Sequence, residues 1–498
     1  MSSICHKTGR WRRAAAVGAF LLIASALAAP AVHASPWAEV GDSQLRSDVQ
    51  LLAAAGVVDG ITTHWPIPWA GVLQRLNDNA ALAGQPANVQ AAARRVLTAA
   101  RAQLESHRVK ASTSVDVAST PSVVRGFDGM GREKAQGQIS GEVIFNTTAI
   151  RLNVGGQLSD WSNGQGKFMP DGSYIAQKIG GAVIYAGYLD HWWGPGWISA
   201  LSLSNNARPF PQVGIERLST SPFRTPWLSW IGPWQAEFFV GVLDGQRVAE
   251  NTLYSGLRLT FNPLPGLEIG LARTEEFCGK GHTCKPLAGY FHFQNAVGKP
   301  NYANDEGVFD IHYSGMAWGT AYELYTQIMN EDSNPITHSF SSHLIGGSVW
   351  IPVGATTARV TVEYTDSVPT VNIFSFGTVN HGYVYNNWDY VDGMRYRGRT
   401  LGFSLDSDSR LTSVQASWAG AHNWTYTLTY HHAAISTPQN FRLNVVTTAP
   451  VTINLGEMRV KMPLKWATVE VAGRIQDDQP RPHKGFEASI EAALTFNL

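Results

Sequence analysis

Residues 486–498 constrain the fold most. Phe486, Ala488, Ile490, Ala492, Leu494, Phe496 and Leu498 are apolar, and Glu487, Ser489, Glu491, Thr495 and Asn497 interleave with them; only Ala493 breaks the pattern. Successive side chains of a strand point to opposite faces, so this stretch reads as one strand with an apolar face and a polar face. In a soluble protein so long a strand would be a sticky edge. In a closed barrel in lipid one face meets hydrocarbon, the other meets a wet lumen, and neighbours pair every backbone group.

The same period of two recurs upstream. Trp424, Tyr426, Leu428 and Tyr430 alternate with Asn423, Thr425, Thr427 and Thr429. Ala358, Val360, Val362 and Tyr364 alternate with Arg359, Thr361 and Glu363; Leu257, Leu259 and Phe261 alternate with Arg258, Thr260 and Asn262. Ala236, Phe238, Val240 and Val242 share a face opposite Glu237. Composition agrees. Charged residues are 15%, against about 25% in an average soluble chain, while Gly (48), Trp (17), Tyr (16) and Phe (20) are abundant. A mean hydropathy of −0.12 does not suit a bundle of membrane helices. Residues 109–498 are long enough for about 16–18 strands of membrane-crossing length with their connections. Gly-, Asn-, Asp- and Pro-rich loops are expected near 120–136, 160–172, 276–305, 367–395 and 433–440. A β-sandwich or propeller would need polar outer faces, whereas Trp318, Trp350, Trp418, Trp424 and Trp466 are expected to face outward as an aromatic girdle.

The N-terminal part has other periods. Arg10, Arg12 and Arg13 precede the apolar run Ala14–Ala29, and Val32-His33-Ala34 supplies small residues before Ser35, the pattern of a cleaved secretory signal over residues 1–34. Its removal takes four basic residues and no acid, leaving 34 basic against 38 acidic residues and a net charge of −4. That gives no electrostatic case for nucleic acid. Residues 35–108 read as a small helical module. One helix is capped by Asp42 or Ser43, carries Leu45, Val49 and Leu52, and stops at Gly56. Trp65-Pro66-Ile67-Pro68-Trp69 is a rigid connector whose indoles suit core packing. A short helix through Val72, Leu73 and Leu76 follows, and Pro86 opens an Ala-rich helix to about His107. Cys278 and Cys284, six positions apart in an exported chain, are expected to form a local disulfide. A metal site with His282 would lack a fourth ligand nearby. Neither metal nor cofactor is implied.

One block breaks the alternation: Asp190-His191-Trp192-Trp193-Gly194-Pro195-Gly196-Trp197, followed by Ser204-Asn205-Asn206-Ala207-Arg208-Pro209 and by Glu216-Arg217. Its chemistry suits sugar contact, since Trp can stack on a pyranose, Asn amides both donate and accept, and Arg grips a carboxylate with two bonds. It equally suits a plug in the lumen, and the residues alone do not separate the two. At these residues the chain resembles the Wzi family of outer-membrane capsule-assembly proteins. The resemblance extends from Gly41-Asp42, Leu45-Arg46-Ser47-Asp48 and Trp65-Pro66-Ile67-Pro68-Trp69 to the final strand. His191 stands where the family is expected to carry Arg. The resemblance implies an 18-stranded barrel with an N-terminal periplasmic helical bundle. It also implies a non-enzymatic, lectin-like role: binding exported capsular or other exopolysaccharide and assisting its assembly at the cell surface. Outer-membrane lipid is the expected surrounding, and polysaccharide export machinery a partner through the helical bundle.

Two other functions compete. A diffusion channel would use Arg258, Arg359, Arg459 and Arg474 as a charged ladder in an open lumen. A hydrolase would need more than Asp190-His191 and His431-His432, whose neighbours point apart on a strand, and the chain lacks a Gly-x-Ser-x-Gly elbow and a His-Glu-x-x-His helix. Secondary candidates for sugar contact are Tyr383, Tyr385, Trp388 and Tyr390.

Overall fold

The computed structural model describes residues 36–76, 79–104, 109–158, 167–284, 303–334, 338–370, 379–420, 423–436, 444–480 and 485–497. The leader expected over residues 1–34 lies outside them.

Eighteen antiparallel strands close into one barrel. In chain order they are β1 (Val109–Ala118), β2 (Ala135–Ile144), β3 (Thr148–Leu158), β4 (Tyr174–Ile179), β5 (Ala182–Gly187) and β6 (Gln212–Arg217). Then come β7 (Trp234–Leu243), β8 (Thr252–Leu264), β9 (Leu267–Phe277), β10 (Asn304–Ala317), β11 (Thr320–Asn334) and β12 (His338–Val353). The last are β13 (Thr356–Thr370), β14 (Arg410–Ala419), β15 (Thr425–Ile435), β16 (Val451–Pro463), β17 (Ala467–Gln476) and β18 (Glu487–Asn497). Phe168–Met169 adds a short piece beside β3. β18 closes the ring on β1, with Ala492 opposite Val117 and Asn497 opposite Ser112. Closure removes the edge that the last strand would otherwise expose.

The alternation sorts side chains as the sequence implies. Ile345, Leu428 and Ile490 face outward and are exposed, while Arg258, Thr361 and Glu491 face the lumen and are buried. Trp318, Trp418 and Trp466 lie on the outer surface, but Trp350 does not. On β12 the outward row is Ile345, Val349, Ile351 and Val353. Trp350 falls one residue out of that register, is buried, and donates its indole N–H to Ser47 Oγ at 2.8 Å.

The two ends of the barrel differ. At one end the connections are tight turns such as 180–181, 265–266, 318–319 and 354–355, with 218–233 as a longer link. At the other end run the long segments 119–134, 188–211, 379–409 and 444–450. The helices sit at the short-turn end: α1 (Ser43–Ala54), α2 (Trp69–Leu76), α3 (Asn79–Leu82) and α4 (Ala87–Leu104). Asp42 caps α1 by accepting from the backbone of Gln44 and Leu45 at 3.1 and 3.0 Å, which satisfies two otherwise unpaired N–H groups. The helix ends before Gly56, whose φ of +70° suits a residue without Cβ. Leu52, Val89 and Val96 join Trp65 and Trp69 in a buried core.

Candidate functional site

The lumen holds a plug assembled from distant parts of the chain. His64–Trp65 pairs antiparallel with Trp192–Trp193, Trp65 opposite Trp192 and His64 opposite Trp193. Phe127, from the inward-folded 119–134 segment, meets Trp65 edge-on at 5.0 Å and Trp192 at 5.7 Å. Trp193 packs against the rings of His64, His191 and Phe239. Arg46 of α1 locks the next turn by donating to the carbonyls of Pro195 and Gly196 at 2.7 and 2.9 Å, with its guanidinium over Phe127 and Trp197. Burial lowers Arg46 to about 10.

Irregular backbone at membrane depth must find partners within the protein. The barrel wall supplies them. Glu363 accepts from the backbone N–H of Trp197, Ile198 and Ser199 at 2.7, 3.2 and 2.7 Å, and from Tyr325 Oη at 2.9 Å. Glu268 accepts from the N–H groups of Thr62 and Thr63 at 3.0 and 3.1 Å. Gln327 donates to Trp193 O at 2.9 Å and accepts from Leu201 N–H at 2.8 Å. The arginines that a channel would line up in its lumen are committed instead. Arg258 binds Asp310 through two bonds and reaches Thr63; Arg359 lies over Trp197 and donates to Gln415; Arg459 and Arg474 share Glu457.

The residues singled out in the sequence fall as follows. Asp190 binds Arg132 at 3.0 Å, and burial raises its carboxyl above the ordinary range. His191 turns away to Glu237 at 3.0 Å and stacks on Phe239, so the adjacent pair forms no dyad. Trp192 and Trp193 are fully buried, so neither indole offers a face to an outside sugar. Asn205 and Asn206 donate to Phe127 O and Thr400 O, both at 2.9 Å. Arg208 binds Asp171 at 2.6 Å, and Glu216 accepts from Trp37 and Gln235. Arg217 is the exception: it leaves the lumen, lies over Trp234 at 3.9 Å and donates to Ser221 O.

Cys278 and Cys284 are joined by a disulfide. Their loop is pinned to the 379–409 segment: Tyr390 donates to Cys278 O at 3.1 Å and stacks on His282 at 4.2 Å. Tyr385 and Tyr390 are buried, whereas Trp388 is 79% exposed. His431 is buried against Ser413, while His432 faces out beside Asn454.

Sequence reasoning missed Trp37, His64, Glu237, Glu268 and Glu363. The alternation could tell that Glu237 and Glu363 point inward, but not what they meet. His64, Glu216 and Glu237 bring possible ligand atoms within 4.8 Å of one another. The protein already engages them: Thr260 and Glu237 on His64, Trp37 and Gln235 on Glu216, Tyr185 and His191 on Glu237. The cluster is therefore a hydrogen-bonded network.

Beside the plug a cavity of about 690 Å³ runs along the inner wall of β18, β1, β2 and β3. A second space of about 230 Å³, lined by Asn205 and Asp190, adjoins it. The lining of the larger cavity reaches the short-turn end at Glu39, Ala102 and Asn497.

A family model for capsule assembly protein Wzi matches residues 105–479. A Klebsiella pneumoniae protein, described as an uncharacterized 55.8 kDa protein in the cps region, is 26% identical over 330 residues, covering 62% of this chain and 62% of that protein. The chain thus aligns with less than two thirds of that relative's length. A solved structure of Escherichia coli Wzi, described as an outer-membrane carbohydrate-binding β-barrel involved in group 1 capsule assembly, superposes with a TM-score of 0.79 at 18% identity. That match covers 92% of this chain and 98% of the other, and it shows a common fold.

Proposed function

The chain belongs to the Wzi family of capsule assembly proteins, and from that premise we propose that it is a non-enzymatic outer-membrane barrel that binds exported polysaccharide and assists its attachment at the cell surface. The observation that carries this reading is the filled lumen. A barrel of eighteen strands is wide enough for an aqueous pore, yet buried Trp65, Trp192, Trp193 and Trp197 occupy the middle of this one. Its outward business then falls to the long segments. In this reading they face outside, and the helices and short turns face the periplasm, after cleavage of the leader behind Ala34. Exposed Trp388, flanked by Asn387 and Asp389, is the best candidate for a sugar contact on that face. Arg94 and Arg101, on the exposed side of α4, are available to export machinery.

The test is deletion of the protein in its host. Expected is a shift of capsular or other exopolysaccharide from the cell-bound to the released fraction, with partial loss in Trp388→Ser. Unchanged retention, with no polysaccharide binding by the pure barrel, overturns the reading. The alternative, a diffusion channel, requires a large steady current after reconstitution; the expected current is negligible.

A further inference from the structure

We propose that the cavity beside β18, β1, β2 and β3 is a second binding site, reached from the short-turn end, for a short uncharged oligosaccharide. Its size fits: about 690 Å³ lies within the roughly 300–1,000 Å³ of small-molecule sites. It stands where several lumen-facing residues of this wall are short or neutral, among them Ser112, Ser114, Gln138, Ser140 and Thr495.

The charges around it define what can enter. Arg132 is held by Asp190 at 3.0 Å, and Arg151 by Glu39 and by Glu142 at 3.1 Å. Asp171 is held by Arg208 at 2.6 Å, and Lys110 donates to Gln103 O at 2.9 Å. The lining carboxylates and guanidiniums are thus paired with one another, and an ionic ligand would have to compete with those pairs.

The neutral polar part of the lining is hydroxyl and amide groups. Asn153 Nδ2 donates to Asp171 O at 2.6 Å, and Asn205 Nδ2 donates to Phe127 O at 2.9 Å. Those bonds fix each amide's orientation and leave Asn153 Oδ1 and Asn205 Oδ1 buried without a protein donor. Asn153 lines the larger space and Asn205 the smaller. A buried acceptor left unsatisfied is costly. A ligand hydroxyl, which donates and accepts at once, can meet the lining serines and glutamines, among them Ser112, Ser114, Gln138 and Ser140. Met169 adds an apolar contact. The choice of a saccharide among uncharged polyols rests on the carbohydrate role proposed above; Trp388 is not among the residues that line the site.

Calorimetric titration tests this on the full-length barrel in a detergent without a sugar headgroup. The probes are maltotriose, cellotriose and mannotriose, with trigalacturonate as the acidic counterpart. A Ser140→Cys variant is folded first and then modified with a bulky maleimide, so that blocking the chamber does not depend on folding around a large residue. Expected is saturable binding of at least one neutral trisaccharide, weaker by about tenfold or more after modification, unchanged in Trp388→Ser, and absent for trigalacturonate. Failure of all three neutral probes, equal binding of trigalacturonate, or binding that survives the modification overturns the chamber site. Loss in Trp388→Ser alone does so too, while leaving the outward reading standing.

Discussion

The two sides of the lumen obey one alternation and do opposite things. From β7 to β13 the inward residues include Glu237, Arg258, Glu268, Asp310, Glu323 and Glu363, all fully buried against the plug or one another. From β18 to β3 they include Ser112, Ser114, Gln138, Ser140 and Thr495, and an open cavity stands in front of them. Strand geometry sets only which residues point inward. Side-chain length and charge decide whether the wall grips what it faces or leaves room. On the gripping side, buried carboxylates are tolerable because they accept hydrogen bonds from plug backbone that has no water to turn to.

Breaking the grip should have the largest effect. Glu363→Ala orphans the N–H groups of Trp197, Ile198 and Ser199, a loss of about 3 kcal/mol or more. Amide exchange over residues 190–209 should accelerate sharply; unchanged exchange would mean that Glu363 is not an anchor. Gly402→Ala comes next. An added Cβ would lie 1.9 Å from Leu201 O, so the outer segment must shift off the plug at about 1–3 kcal/mol. A lowered midpoint of thermal unfolding checks it.

A titration in α1 sharpens the comparison at intermediate size. Burial pushes Asp48 up to about 6, although Arg95 binds it through both oxygens at 2.7 Å. The folded helix therefore takes up a proton that the unfolded chain, near the ordinary 3.8, does not. This group's contribution makes stability rise as pH falls from about 6 toward 3.8. Asp48→Asn should remove that slope from unfolding curves; an unaltered slope assigns it elsewhere. On the open wall, Ser140→Ala should change stability by less than about 0.5 kcal/mol. A loss matching that of Glu363→Ala would erase the difference between the walls.

Much of the barrel was legible in the sequence because period-two alternation is a local signal. Glu487–Asn497, the row around Val360 and the row around Leu259 could each be assigned inward and outward faces without any partner. Trp350 shows the limit, since an aromatic residue in an outer-membrane strand looks the same one register step either way. The plug was legible only as an irregularity. Trp192 and Trp193 carry the composition of a sugar-stacking surface, and only their pairing with His64–Trp65, remote in sequence, marks them as buried. Asp190 and Asn205 belong to a block whose residue types suit sugar contact and plug equally; they reach the candidate chamber through inward folding of 188–211, which composition does not reveal.

The most direct measurement is equilibrium binding of the host's own surface polysaccharide to the immobilised, full-length barrel. The expected result is saturable binding that weakens in Trp388→Ser while reconstituted protein passes negligible current. Absence of binding, together with a large steady conductance, would contradict a polysaccharide-binding barrel and make this protein a channel.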